Sequence, residues 1–162
     1  MKKSEKSLPT KVIKGTVSVF ERLHALDREQ RHAVLATDSD GQPYTSLIAY
    51  ALTPDMKGVV FATPKATSKY KNILQNRHVS LLIDTRSNTD KDYMDAESIT
   101  ILGNAHAVKR GKKWLELAAV LITKHPKLAE FIGSPETVLV LIEIKKCIHV
   151  TRFQNVSEWH VG

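Results

Sequence analysis

The chain has 162 residues, 42% of them hydrophobic and 25% charged, with a formal net charge of +7. Seven glycines and six prolines complete an ordinary globular composition, which excludes collagen-like, low-complexity and wholly disordered classes and leaves one domain with one core. No apolar run approaches the roughly 18 residues of a membrane-spanning helix, and the first residues lack the apolar stretch of a signal peptide, so a cytoplasmic protein without a membrane partner is expected. The lone cysteine, Cys147, has no second thiol with which to pair and reads as a small buried apolar residue.

Residues 1–14 carry Lys2, Lys3, Lys6, Lys11 and Lys14 against Glu5 alone, a net of +4 without periodic apolar positions. They are predicted to form a mobile basic tail, with residues 15–162 as a single domain. Ser18 and Glu21 have capping-box spacing, and Val19, Phe20, Leu23 and Leu26 fall on one side of a helix running to about residue 30. The run 33–37, closed by Asp38-Ser39-Asp40-Gly41, predicts a hairpin into a strand over 44–52. In that second strand Tyr44 and Tyr50 share a face and read as core or interface. A third strand follows over 59–63.

After Pro64 the period turns helical over 68–76 and returns to strand over 79–84. Residues 86–96 read as an exposed loop. A long strand over 98–108 contains Gly103, which predicts a bulge of the kind that closes barrels. A helix over 112–124, with Trp114, Leu117, Ala118, Leu121 and Ile122 on its apolar face, is interrupted at His125-Pro126. A short helix over 126–132 and strands over 138–144 and 148–153 complete the reading. About seven strands, mostly hairpin-linked, predict an α+β fold, mainly antiparallel β, built as a partly closed barrel with flanking helices. The interior of so small a barrel is filled by side chains, which sends any sizeable ligand to an edge, a cleft or a subunit interface.

One stretch carries chemistry. Thr63-Pro64-Lys65-Ala66-Thr67-Ser68-Lys69-Tyr70-Lys71 puts hydroxyls and ammonium groups where a strand ends and a helix begins. Unpaired first-turn N–H groups, the positive end of the helix dipole and Lys69 together suit a phosphate, while Thr67 or Ser68 could equally be a plain N-cap. A second basic cluster stands at Lys109, Arg110, Lys112 and Lys113. The seven histidines show no H-x-x-x-H or H-E-x-x-H spacing, so no metal site is expected. Net charge alone would admit a nucleic-acid partner, but the basic clusters lack interleaved aromatics and much of the charge lies in the tail, which disfavours one.

The succession Val34-Leu35-Ala36-Thr37, Asp40-Gly41-Gln42-Pro43-Tyr44, Val59-Val60-Phe61-Ala62-Thr63, Ser68-Lys69-Tyr70-Lys71-Asn72, Arg77-His78-Val79-Ser80-Leu81-Leu82 and Ile99-Thr100-Ile101-Leu102-Gly103-Asn104-Ala105 resembles the FMN-binding split-barrel family related to pyridoxamine 5'-phosphate oxidase, over about residues 20–153. The resemblance implies a six- to seven-stranded split β-barrel and a homodimer with FMN at its interface. It implies that Thr63, Thr67, Ser68 and Lys69 hold the FMN phosphate and that the strand Ser46, Leu47, Ile48 and Ala49 lies along the isoalloxazine. Ser68 stands where the oxidases carry arginine, Leu47 and Leu52 where they carry a basic pair, and Ser98 where they carry glutamine. Trp159 takes the place of a tryptophan that stacks on the flavin from the partner subunit, or else anchors the tail on the barrel.

The arginine- and tyrosine-rich grip on substrate phosphate is replaced here by the apolar helix around Trp114 to Ile122. The ending Trp159-His160-Val161-Gly162 also lacks the oxidases' arginine, so a true pyridoxamine phosphate oxidase is not implied. Residues from His125-Pro126-Lys127-Leu128 to Arg152-Phe153-Gln154-Asn155-Val156 look more like the C-terminal half of split barrels linked to heme utilisation, which commonly have Gly-Phe-Gly at 152–154. The expectation is therefore an FMN-dependent oxidoreductase whose substrate, electron donor and catalytic residues are unassigned. A non-catalytic flavin carrier or sensor, or a split barrel that binds deazaflavin or heme, is the alternative.

Overall fold

The computed structural model describes residues 18–152 and 155–162. The predicted tail, residues 1–14, lies outside them. Helix α1 (Val19–Glu29) is capped by Ser18, whose hydroxyl accepts from the Glu21 N–H. Strands β1 (His32–Ser39) and β2 (Gln42–Leu52) form the expected hairpin, with Asp40 and Gly41 at positive φ in its turn. Strand β3 (Gly58–Pro64), helix α2 (Ser68–Gln75), strand β4 (His78–Asp84), a one-turn helix α3 (Asp92–Asp95) and strand β5 (Glu97–Ala107) follow. Helix α4 (Lys112–Lys124) leads through a 3-10 turn (Pro126–Leu128) and the short α5 (Ala129–Gly133) into β6 (Thr137–Thr151) and β7 (Asn155–His160).

The sheet runs β3-β2-β1-β4-β5-β6-β7 and closes through β3–β6 pairing, giving a six-stranded antiparallel barrel with β7 appended. Closure depends on β6, whose first half pairs with β3 and whose second half pairs with β7. The two strands expected at 138–144 and 148–153 are one continuous strand ending at Thr151, and the seventh strand lies beyond it at 155–160. Lys145 and Lys146, which read as a break, are accommodated by a bulge. Leu102 faces Lys146 but Gly103 faces Ile144, which leaves Lys145 as the extra residue opposite the predicted bulge glycine.

The barrel interior is packed with Leu35, Tyr50, Phe61, Leu81, Ile83, Ile99, Ile101 and Cys147, all essentially inaccessible. Burial pushes the Cys147 thiol up to about 12, so it behaves as the apolar filler the sequence suggests. Helix α1 seals one end with Val19, Leu23 and Leu26, and α2 seals the other with Ile73. Phe20 departs from the expected apolar face of α1: it is 42% exposed and meets Trp159 edge-on at 5.4 Å. Tyr44 is likewise open to solvent whereas Tyr50 is fully buried. A second cluster packs Trp114, Leu117, Ala118 and Leu121 of α4 against the outer faces of β2, β3 and β6. No helix among the described residues is long and apolar enough to cross a membrane.

Candidate functional site

Strand β2 has eleven residues but pairs with β3 only through Tyr50, Ala51 and Leu52. Below that point the two strands diverge, although β2 stays paired with β1 down to Gln42 and β3 stays paired with β6 down to Pro64. The barrel is therefore split between β2 and β3 at the α2 end. Along the opening, alternate residues of β2 aim backbone N–H and C=O groups at no strand. Ser46, Leu47, Ile48 and Ala49 form this open edge.

The side chains of those four residues alternate. Ser46 faces Leu35 across the hairpin, in an interior row that continues through Leu81, Ile101 and Cys147 to Trp159. Its hydroxyl is buried and has no hydrogen-bond partner among the described residues. Ile48 is also interior, while Leu47 points outward at 67% exposure and Ala49 is partly covered. Leu47 stands in an outer row with Val34, Leu82, Thr100 and Ile148. No helix among the described residues covers this row, unlike the outer faces of β3 and neighbouring β6 beneath α4.

The turn at the end of β3 borders the same opening. Thr67 is the N-cap of α2: its hydroxyl accepts from the Tyr70 N–H at 3.4 Å and donates to the Pro64 carbonyl at 3.1 Å. This assigns the cap to Thr67 rather than Ser68. Thr63 is buried, and its hydroxyl lies 2.8 Å from that of Thr67, so it braces the turn from beneath. Ser68 is exposed and Lys69 partly exposed. The backbone N–H groups of both are first-turn donors without an intrahelical acceptor, and no carboxylate pairs with Lys69 among the described residues. Asn72 donates to Thr37 at 3.0 Å and so holds α2 against β1.

Ser98 and Trp159 lie elsewhere. Ser98 sits on β5 between Asp84 and Val150, toward the α1 end of the barrel, and Trp159 is on β7 opposite Cys147, packed against the core. Beside Ser98, Glu97 accepts from the Arg22 guanidinium and from His149 Nε2 at 2.9 Å. Burial opposes ionisation of Glu97, but these two partners prevail and hold its carboxyl below the ordinary glutamate range. One chain thus joins Ser46–Ala49 and Thr63–Lys69 around one opening and leaves Ser98 and Trp159 apart from it. Among the described residues, no three His, Cys, Asp or Glu side chains gather as a metal site.

The sequence profile of the family described as pyridoxamine 5'-phosphate oxidase matches residues 19–151. No curated protein matches the sequence. Among solved structures, a heme binding protein from Mycobacterium smegmatis is similar with a TM-score of 0.79 at 15% identity, over 90% of this chain and 59% of that one. This chain therefore spans well under two thirds of that protein's length. HutZ, the heme storage protein from Vibrio cholerae, gives 0.67 at 16% identity, over 76% and 88% of the two chains. A FAD-binding protein from Mesorhizobium loti gives 0.65 at 18% identity, over 82% and 94%. At these identities the likeness to solved structures is one of fold, whereas the profile spans most of the sequence: the chain belongs to the pyridoxamine 5'-phosphate oxidase family.

Proposed function

We propose that the protein binds FMN in the opening between β2 and β3 of a homodimer and works as a flavin-dependent oxidoreductase. The observation that carries this is the opening itself, where a free strand edge at Ser46–Ala49 and a free helix N-terminus at Ser68–Lys69 face one space. The residues present fit the group. First-turn N–H groups, the Ser68 hydroxyl and the Lys69 ammonium suit a phosphate dianion, and the β2 edge offers alternating donors and acceptors to the polar rim of a flat heterocycle. The Leu47 side chain, exposed and apolar, can pack on such a ring but donates nothing to it.

Bound flavin would supply hydride or single-electron transfer. The chain's own part is to fix the phosphate, orient the ring along β2 and keep water from it, which requires no acid–base residue. Leu47, Val34, Leu82, Thr100 and Ile148 make a mainly apolar row, uncovered by any helix among the described residues, that suits a second copy of the chain. Heme is the second reading, favoured by the names of the heme binding protein from M. smegmatis and of HutZ.

Absorbance of the purified protein separates the two, as an intense Soret band marks heme and the weaker flavin bands mark FMN. Titration of apo-protein with FMN, followed by fluorescence quenching, is expected to saturate at about one FMN per chain. Replacing Lys69 with alanine should weaken binding by about 1.5–3 kcal/mol, roughly 10- to 150-fold, the range for one hydrogen bond to a charged group. Unchanged affinity in Lys69→Ala would remove the turn from the site, and absence of any quenching would refute the flavin reading.

A further inference from the structure

On the other edge of β3 from the opening, where Pro64 pairs with Thr137, the surface folds into a cleft of about 520 Å³. Its walls come from the β3–α2 turn, the start of α4, and the segment joining α5 to β6. Neither Ser68 nor Lys69 lines it, and no carboxylate does among the described residues. The volume falls within the range of small-molecule sites.

Three features of the cleft prepare it for one kind of ligand. Arg110 lies over the Trp114 ring, 3.9 Å from its centroid, and one terminal nitrogen donates to the carbonyls of Gly133 and Ser134 at 3.4 and 3.0 Å. The guanidinium is thereby oriented, while its Nε–H and second terminal nitrogen have no partner among the described residues. Lys65 contributes a second cation, and the hydrogen bond from its backbone N–H to the Glu136 carbonyl at 3.0 Å ties its turn to the opposite wall. Thr137 is 6% exposed, and its hydroxyl makes no hydrogen bond among the described residues. Between these polar groups the lining is apolar, formed by Val108, Trp114, Val138 and Leu139.

We propose that this cleft is a second binding site, separate from the opening between β2 and β3, for a flat aromatic molecule bearing one carboxylate or comparable monoanion. The anion lies between Lys65 and the spare donors of Arg110, the Thr137 hydroxyl takes a further bond, and the ring rests on the apolar lining. Both cations line the cleft with no carboxylate from the described residues beside them, so an anion there gains two charge-assisted partners. The apolar lining beside them favours an aromatic anion over inorganic phosphate.

The probe is 2-naphthoate, titrated calorimetrically into the full chain, with the neutral amide 2-naphthamide as control. Saturation near one naphthoate per chain is expected, with a shift of the Trp114 indole N–H resonance, assigned by its loss in Trp114→Phe. The amide should bind at least about fivefold more weakly, and Lys65→Ala and Arg110→Gln should each weaken naphthoate by about fivefold, the scale of an exposed, solvent-screened charge contact. Thr137→Val provides a third variant that leaves both cations in place and should also weaken binding. Unfolding midpoints of the variants exclude misfolding as the cause. Saturating FMN should leave naphthoate affinity unchanged. No binding, equal binding of the amide, indifference to both cation variants, or competition by FMN would each overturn the proposal, and the first three are read without FMN, so they stand whether or not FMN itself binds.

Discussion

Gly103 sits where a methyl group has no room. A Cβ built there lies 2.4 Å from the backbone oxygen of Glu143 and 2.8 Å from Ile142 Cγ2. The first contact is with main chain, so no rotamer change relieves it. Either the β5–β6 ladder opens at the bulge, or β6 shifts and disturbs its pairing with β3, which closes the barrel. Overpacking with some freedom to adjust costs about 1–3 kcal/mol, and a clash against backbone belongs at the upper end, so Gly103→Ala should cost about 3 kcal/mol. For a chain of this length that is a fall in Tm of about 6–12 °C. Urea unfolding followed by far-UV circular dichroism measures it directly. Two controls calibrate the scale: Gly133→Ala, with nothing within 4 Å, should be neutral or slightly stabilising, and Gly41→Ala, at φ +77°, should cost about 1 kcal/mol from backbone strain alone. A Gly103→Ala variant within 1 kcal/mol of the parent would show that the bulge does not require the absence of a side chain.

Three further expectations concern charge and surface. Asp27 accepts from both the Leu52 N–H at 3.1 Å and Lys124 Nζ at 2.8 Å, and that ammonium also lies 3.8 Å from the Tyr50 ring centroid. Asp27→Ala strands a largely buried cation and an N–H, and should cost about 2–4 kcal/mol in urea unfolding, much of it recovered in Asp27→Ala/Lys124→Met; a single variant milder than 1 kcal/mol would contradict this. Burial holds the His125 ring below its ordinary value of 6.5, so the unfolded chain takes up its proton first as pH falls. Stability from this residue is complete above about pH 6.5 and declines below it, and the urea midpoint should show a shallower acid slope in His125→Gln; an unchanged slope would clear His125 of the effect. Leu47→Asp should convert the expected dimer to monomer in light scattering at micromolar concentration while leaving the far-UV circular dichroism of the folded chain nearly unchanged, because the side chain is 67% exposed in a single chain; a dimer that persists would place the contact elsewhere.

Local signals made the first five strands legible. The Asp40-Gly41 turn fixed the β1–β2 hairpin, Ser18 announced α1, and Gly103 announced the bulge. The end of the sheet was harder to read because its signals are long-range. Lys145-Lys146 resembles a break between strands, yet Lys145 is exposed at the bulge and Lys146 pairs with Glu158 of β7 at 3.0 Å. Strand β7 is short and half-exposed on an added edge, which leaves little apolar alternation to detect. Trp159, which as sequence fits a flavin stack or an anchor, packs against the core and Phe20 within one chain, and that contact also explains why Phe20 leaves the buried face of α1.

The site divides in the same way. The turn from Thr63 to Lys69 could be read from residue types because capping and helix-dipole chemistry act over a few positions. The opening beside it could not, since it arises where β2–β3 pairing stops, at Tyr50, and no residue type marks that point. The two basic clusters were visible as separate runs, whereas their meeting through Lys65 and Arg110 follows only from closure of β3 on β6.

Leu47 and Leu52 show what alternation adds to a motif. As sequence they are two leucines in place of a basic pair, equivalent departures from the oxidases. On the strand they have opposite roles. Leu52 is 5% exposed and faces the barrel core, where a lysine or arginine would need a counter-charge among Val19, Leu23 and Leu26. Its leucine is therefore a packing requirement of this barrel as well as a missing contact. Leu47 faces outward, where an arginine would meet only solvent in a single chain and costs the fold nothing. An exposed leucine at such a position, in line with Val34, Leu82 and Ile148, is the feature on which the proposed dimer rests: a second copy of the chain laying its own row against it would cover it.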